Sequence, residues 1–316
     1  MSKDNDSANR HYSRRDLLRT TVLAAGGATL AGLGACQAQP PQMAAEAEKK
    51  SEKPTHNMNL SLAAYSMRDA LTSGEMDLFQ FIDWCAEMDL PGTELTSYYF
   101  KKDFDTKYLH DLKLRAFRQG VTVSGTAIGN NFCFPKGPDR DAQLAMTRKW
   151  IDNAAELTAP HIRIFAGQAP DGVDIKTAIG WAADGIKESL EYAARRGIVL
   201  GLENHGGITA RVEDHLAICD MVGEHPWFGI NLDTGNYRAR PYEELELAAP
   251  RSVNVQIKVE VADENGNNVP TDLARVRDIL VKAKYKGWVA LEYEAKEDPK
   301  VAIPRYMEEL KKLFLG

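Results

Sequence analysis

Long apolar runs, cysteine, histidine and excess positive charge are all scarce in this 316-residue chain, and each shortage removes a class of protein. The longest weakly apolar stretch, residues 20–35, is short and rich in Gly and Ala, whereas a spanning helix needs roughly 20 predominantly apolar residues. Lys and Arg number 39 against 45 Asp and Glu, a net charge of −6. Nucleic-acid affinity rests on basic side chains neutralising phosphates, so an acidic chain is a poor nucleic-acid binder. The four cysteines include Cys36 in the N-terminal segment, leaving Cys85, Cys133 and Cys219. Three cannot all pair within one chain, which excludes a disulfide framework. There is no Walker-type phosphate loop and no short-period repeat.

What is present begins with an address. Ser13-Arg14-Arg15-Asp16-Leu17-Leu18 resembles a twin-arginine export signal, and Leu33-Gly34-Ala35-Cys36 resembles a lipobox. The expected organisation is a signal peptide over 1–35, an acylated Cys36, a tether over 36–57 and one folded domain over 58–316. A retained membrane anchor is the alternative reading of the first segment. Removing residues 1–35 leaves 34 basic and 42 acidic residues, a net −8. The tether is Ala, Gln, Pro, Glu and Lys with hardly any large apolar residues, too few to bury a core. Export as a folded protein suits reduced cysteines and a metal loaded before transport. The expected location is the periplasmic face of a bacterial membrane, or the periplasm, with membrane contact only through the lipid.

The remaining length is close to the roughly 250 residues of a (β/α)8 barrel. Strand-like runs over 59–66, 92–97, 121–128, 161–166, 198–204, 228–234, 252–260 and 288–294 alternate with helical segments such as 77–86 and 174–196. That alternation predicts a parallel sheet covered by helices, here an α/β TIM barrel. Successive strand residues point to opposite faces. In the seventh run Val253, Val255, Ile257 and Val259 share one face, and Asn254, Gln256 and Lys258 the other. The polar set is expected inside. The same parity directs Glu94, Ser124, Thr126, His161, Arg163, Glu203, Asp233 and Glu292 inward, toward the C-terminal mouth where such barrels carry their sites.

Buried ionised carboxylates are costly unless paired or bound to metal. Four strand ends carry polar or acidic groups: Leu202-Glu203-Asn204-His205, Asn231-Leu232-Asp233-Thr234-Gly235-Asn236, Val255-Gln256-Ile257-Lys258 and Leu291-Glu292-Tyr293-Glu294. A divalent cation would relieve their repulsion, Mg²⁺ or Mn²⁺ by preference, with Co²⁺ or Zn²⁺ compatible. The competing reading is a salt-bridge cluster with Arg163 and Lys258. Glu292 is preferred over Glu294 by its spacing from Gly287.

These stretches, with Gly287-Trp288-Val289-Ala290-Leu291-Glu292, are similar to the xylose isomerase-like TIM-barrel superfamily, in its sugar phosphate isomerase/epimerase group. The likeness spans about residues 58–316. It implies Glu203, Asp233, Gln256 and Glu292 as metal ligands, Gln256 standing where the group usually has His in a His-x-Lys arrangement. It implies Glu203 and Glu292 as the acid/base pair. Asn236 replaces a His found in ketose 3-epimerases. A histidine-rich nuclease of the endonuclease IV type is excluded, since only six His follow residue 35.

The chemistry so implied is proton abstraction next to a carbonyl through an enediolate, assisted by the cation. Proton return to the neighbouring carbon gives an isomerase, return to the opposite face an epimerase, and loss of a β-oxygen a 3-keto-glycoside lyase or dehydratase. Glu94, Arg163, His205, Asn236 and Lys258 are expected to meet a small, non-phosphorylated carbohydrate. Tyr98, Tyr99 and Phe100 are read as a wall for a sugar ring or as packing. A non-catalytic sugar-binding lipoprotein is the remaining class.

Overall fold

A computed structural model describes residues 58–315. The expected export signal, the expected lipidation site at Cys36 and the expected tether lie outside the described residues.

Eight parallel strands close a barrel: β1 (Met58–Ala63), β2 (Gly92–Thr96), β3 (Thr122–Ala127), β4 (His161–Ile164), β5 (Val199–Glu203), β6 (Phe228–Asp233), β7 (Ser252–Ile257) and β10 (Gly287–Leu291). Between the last two lies an antiparallel hairpin, β8 (Glu260–Ala262) with β9 (Asn268–Pro270). The helices are α1 (Arg68–Ser73), α2 (Leu78–Glu87), α3 (Thr106–Gln119), α4 (Pro138–Leu157), α5 (Ile175–Arg196), α6 (Val212–Val222), α7 (Pro241–Ala248), α8 (Leu273–Lys282) and α9 (Pro299–Phe314). Among the described residues no helix is long and apolar enough to cross a membrane.

Local sequence explains the boundaries. Asp77 caps α2 by accepting from Gln80 N at 2.8 Å, while the Gln80 side chain accepts from Asp77 N at 2.9 Å, a reciprocal capping box. The buried face is then Leu78, Phe81, Ile82 and Cys85, one helical stripe. Asp174 caps α5 in the same way through Thr177 N, and Gly197 ends that helix in the left-handed conformation. The outward residues of the strands, including Leu200, Leu202, Ile230, Leu232, Val255, Ile257, Val289 and Leu291, are fully or almost fully buried against these helices.

Two expectations of the strand reading change. The run over 252–260 leaves the sheet after Ile257: Lys258 N donates to the Thr234 hydroxyl at 2.9 Å rather than to a strand carbonyl, and the chain enters the hairpin at Glu260. The inward parity of Thr126 is also corrected. Thr93 pairs with Val123 but Glu94 pairs with Gly125, so Ser124 is an extra residue in a bulge. Beyond it Thr126 pairs with Leu95 and Ile162 on the helix side, and Gly125 faces the interior.

That bulge makes room for His161. Cβ atoms at Gly125 and Gly201 would run into its ring nitrogens. The imidazole thus fills the barrel interior at the first residue of β4, away from the mouth, with both nitrogens lacking a hydrogen-bond partner. Burial, then Arg163, lowers its pKa to about 3, keeping it neutral.

Candidate active site

The C-terminal strand ends bring one charged cluster together. Lys258, just past β7, places Nζ 2.7 Å from Glu292 Oε2, 2.8 Å from Glu294 Oε1 and 3.3 Å from Asp233 Oδ2. Arg163 of β4 sets Nε 2.8 Å from Glu203 Oε2 and donates through Nη1 to the Ile128 carbonyl at 2.7 Å. Asn236 donates to the other Glu203 oxygen at 3.1 Å. Glu203, Asp233, Lys258 and Glu292 are buried, whereas the Glu294 side chain is 42% exposed at the rim.

These groups are held by side chains that extend the sheet beyond its last backbone bonds. Asn204, following β5, donates to the Asp233 carbonyl at 2.8 Å and accepts from Asp233 N at 2.9 Å. Asn130 does the same to Phe165, at 2.7 and 2.9 Å. Thr234 accepts from Lys258 N, and Ser66 donates to the Leu291 carbonyl at 3.2 Å while accepting from Tyr293 N at 2.9 Å. Each clamp fixes the backbone of a neighbouring strand end.

The electrostatics are unequal across the cluster. Burial pushes Glu203 well above the usual carboxylate range against the pull of Arg163. Burial likewise raises Asp233 to about 7 despite Lys258. Burial would raise Glu292 too, but Lys258 and then Arg163 hold it below its ordinary value. Burial opposes the charge on Lys258, yet Asp233, Glu292 and Glu294 together raise it well above the ordinary lysine value.

Glu94, expected to contact substrate, has both oxygens committed to interior amides: Asn254 donates to one at 2.6 Å and Gln256 to the other at 3.0 Å. Burial and then the Glu292 charge raise its pKa to about 7. Gln256, expected as a ligand, accepts from Asn231 Nδ2 at 2.7 Å. His205 lies on the exposed rim, its ring centroid 4.0 Å from that of Phe165, and burial with Arg163 lowers its pKa to about 4. Arg163 packs on Phe165 as well, 3.9 Å from the ring centroid.

Two recesses flank the cluster. One, of about 120 Å³, is polar and runs between Asn236, Arg238, Lys258, Asn268 and Glu294. The other, of about 240 Å³, is bounded by Asn130, Phe165, Gln168, His205 and Thr209. Larger grooves of about 480 and 560 Å³ lie among surface residues such as Leu114 with Phe117, and Lys136 with Lys187. They contain none of the buried acids, so the chemistry assigns the mouth. Of the aromatic wall, Tyr98 and Tyr99 pack edge to face, while Phe100 turns to Phe104, Tyr108 and Trp150. Cys133 is buried, and its thiol is raised to about 12 by burial, which leaves it unreactive.

The donor chemistry fits a divalent cation. Four carboxyl groups, Glu203, Asp233, Glu292 and Glu294, face two cations, Arg163 and Lys258. Asp233 Oδ2 is buried with no hydrogen-bond partner. Among the described residues no three His, Cys, Asp or Glu side chains are gathered tightly enough to hold an ion; the Lys258 ammonium bridges Asp233 and Glu292 instead.

The sequence reading did not assign roles to Asn231, Asn204 or Thr234. Asn231 was findable, since it shares the inward parity of Asp233. The clamps have no periodic signal.

A closed parallel barrel with buried acids at its C-terminal mouth is the layout of a TIM-barrel site. The chain belongs to the xylose isomerase-like TIM-barrel family, which matches residues 82–313. Among solved structures, a D-psicose 3-epimerase determined with D-fructose is 15% identical, with a TM-score of 0.66 over 82% of this chain and 100% of that one. The 3-keto-D-glucoside 4-epimerase YcjR from E. coli is 16% identical, with a TM-score of 0.60 over 81% and 100%. An IOLI protein with a bound zinc atom is 14% identical, with a TM-score of 0.65 over 81% and 96%. At these identities the likeness is one of fold. No curated protein matches the chain.

Proposed function

We propose that the protein is a divalent-cation-dependent sugar isomerase or epimerase that removes a proton from the carbon beside a carbonyl. The observation that carries this reading is the convergence of Glu203, Asp233 and Glu292 around Lys258 and Arg163 at one mouth. Glu203, Asp233, Gln256 and Glu292 would hold the cation, which when bound supplies Lewis-acid polarisation of the carbonyl. Glu292, kept ionised by Lys258, is suited to accept the proton from carbon. Glu203, fixed by Arg163 and Asn236 on the other side of the mouth, would be the second member of the acid/base pair that returns a proton. Arg163 and Asn236 fix the Glu203 carboxyl, and the rim at His205 and Arg238 is left to meet hydroxyl groups.

The substrate is a non-phosphorylated sugar or sugar derivative. Both cations of the cluster, Arg163 and Lys258, are already paired with carboxylates, so neither is left free to bind a phosphate dianion. Fold likeness to epimerases of free and keto sugars accords with this reading.

Exchange of carbon-bound hydrogen in D₂O, with Mn²⁺ and a panel of ketoses and 3-keto-glycosides, tests it. Deuterium in recovered sugar is expected. No incorporation into any non-phosphorylated substrate, with incorporation into a sugar phosphate, would overturn the substrate class. Loss of the aglycone would identify the lyase course from the same proton abstraction. Sugar binding that persists in Glu203→Gln without any exchange in the parent would identify a binding protein.

A further inference from the structure

Four side chains close a ring of hydrogen bonds in the barrel interior: Asn231 and Asn254 pair one inward position below Asp233 and Gln256, and Glu94 closes the ring from β2. Asn254 Nδ2 donates to Glu94 Oε1 at 2.6 Å and to Asn231 Oδ1 at 2.8 Å. Asn231 Nδ2 donates to Gln256 Oε1 at 2.7 Å, and Gln256 Nε2 donates to Glu94 Oε2 at 3.0 Å. Glu94, Asn231, Asn254 and Gln256 are all at most 2% exposed, so no bulk water can replace a lost partner.

With Glu94 ionised, the ring has only one consistent polarity. An ionised carboxylate accepts and never donates, whereas an amide has one donating and one accepting end. With Glu94 accepting on both oxygens, Asn254 and Gln256 must each turn an NH₂ toward it. Asn254 then offers its second hydrogen to the Asn231 oxygen, Asn231 offers its NH₂ to Gln256, and the Gln256 oxygen is directed to β6, the strand that carries Asp233. An amide oxygen has two lone pairs, and Asn231 uses one.

We propose that Glu94 is a positioning residue that sets the direction of the Gln256 amide, keeping its oxygen, not its NH₂, on the Asp233 side for the divalent cation. This rests on the reading of Gln256 as a cation ligand. With Gln at position 94 the parity of the ring fails: whichever way the four amides are turned, one contact brings two donors or two acceptors together. Exchanging the two residues repairs it. In the double variant E94Q/Q256E, the carboxylate at 256 accepts from position 94 and from Asn231, the amide oxygen at 94 accepts from Asn254, and every contact is again satisfied.

Calorimetric titration of the full chain with Mn²⁺, beside circular dichroism and urea unfolding, tests the proposal. E94Q is expected to bind Mn²⁺ at least tenfold more weakly than the parent. E94Q/Q256E is expected to bind at least as tightly as the parent, since a carboxylate then replaces an amide as donor. Parent-like affinity in E94Q overturns the proposal while leaving the cation site standing. So does a folded double variant as weak as E94Q. If E94Q fails to fold, the double variant still decides. A parent that binds no divalent cation removes the site itself and the proposal with it.

Discussion

Lys258 Nζ stands 2.7 Å from Glu292 Oε2 with both groups buried, so each holds a charge the other makes tolerable. Removing one member of such a pair leaves an uncompensated buried charge, a loss of about 3–5 kcal/mol. K258M is therefore expected to lower unfolding free energy by that order in urea titrations with chelator present. The double variant K258M/E292Q is expected to recover part of the loss, because the Glu292 charge goes with its partner while only Asp233 stays buried without Lys258. A K258M protein as stable as the parent would mean the pair is not formed in solution.

Glu203 is expected to govern proton transfer and, through its buried pair with Arg163, to support the fold as well. E203Q keeps its size and an oxygen for Arg163 or Asn236, but it cannot exchange a proton. Hydrogen exchange into substrate is expected to fall by about 10²–10⁴-fold, the usual scale of general acid–base assistance, in protein that circular dichroism shows to be folded, with a melting temperature lowered because Arg163 loses its buried partner. Nuclear magnetic resonance of the recovered sugar reads the first quantity and calorimetry the second.

Acid stability is expected to report His215. Burial lowers its pKa from 6.5 to about 4, and its Nδ1 is hydrogen-bonded to the Tyr237 hydroxyl at 2.8 Å. The unfolded chain takes up a proton below about pH 6.5 that the folded chain refuses until about pH 4, so stability falls as pH drops through that window. The loss approaches about 3 kcal/mol for this residue. Glu94 acts in the opposite sense: with a folded pKa raised to about 7, it favours the folded state at low pH, and that contribution fades as pH rises toward and through 7. H215Q removes the first effect only. The difference between parent and H215Q urea midpoints, measured from pH 7.5 to 4.5, is expected to shift in favour of H215Q as pH falls.

Asn204 is expected to matter for stability out of proportion to its size. N204A leaves the buried Asp233 N–H and carbonyl without their partners. Each orphaned group costs about 1–3 kcal/mol, so for the two a destabilisation of about 2–6 kcal/mol is expected in urea. N204D keeps the acceptor but loses the donor, and is expected to fall between N204A and the parent.

Export and lipidation are tested in cells that carry the twin-arginine machinery. Replacing Arg14 and Arg15 with Lys is expected to hold the protein in the cytoplasm. C36S is expected to pass from the membrane fraction into the soluble periplasmic fraction, and mass spectrometry of the parent is expected to find acyl chains at Cys36.

The barrel was legible because most strands carry an apolar face at period two and several helices begin at an Asp cap, as α2, α3, α5, α8 and α9 do, or end at a glycine, as α3 and α5 do. Inward parity found Glu94, Glu203, Asp233, Gln256 and Lys258, since a charged residue on an otherwise apolar strand is visible in the sequence itself. It erred at Thr126, because a bulge at Ser124 adds one residue and inverts the count beyond it; Gly125 inside the run is the residue type that marks such an insertion, and counting parity alone ignores it. Partner choice was the other gap. That Glu94 engages Asn254, 160 positions away, depends on closure of the barrel, and parity along single strands carries no information about which interior groups meet across it.

The side-chain clamps at Ser66, Asn130, Asn204 and Thr234 have a consequence for change over evolutionary time and for engineering. Each grips the backbone of the next strand end from a residue at the base of its loop, so the alignment of the acids is set before the loops begin. Loop tips beyond those anchors are therefore open to replacement. A designer seeking a new sugar preference could graft segments onto the rim while Asp233 and Lys258 keep their places, much as fittings are exchanged on a fixed flange.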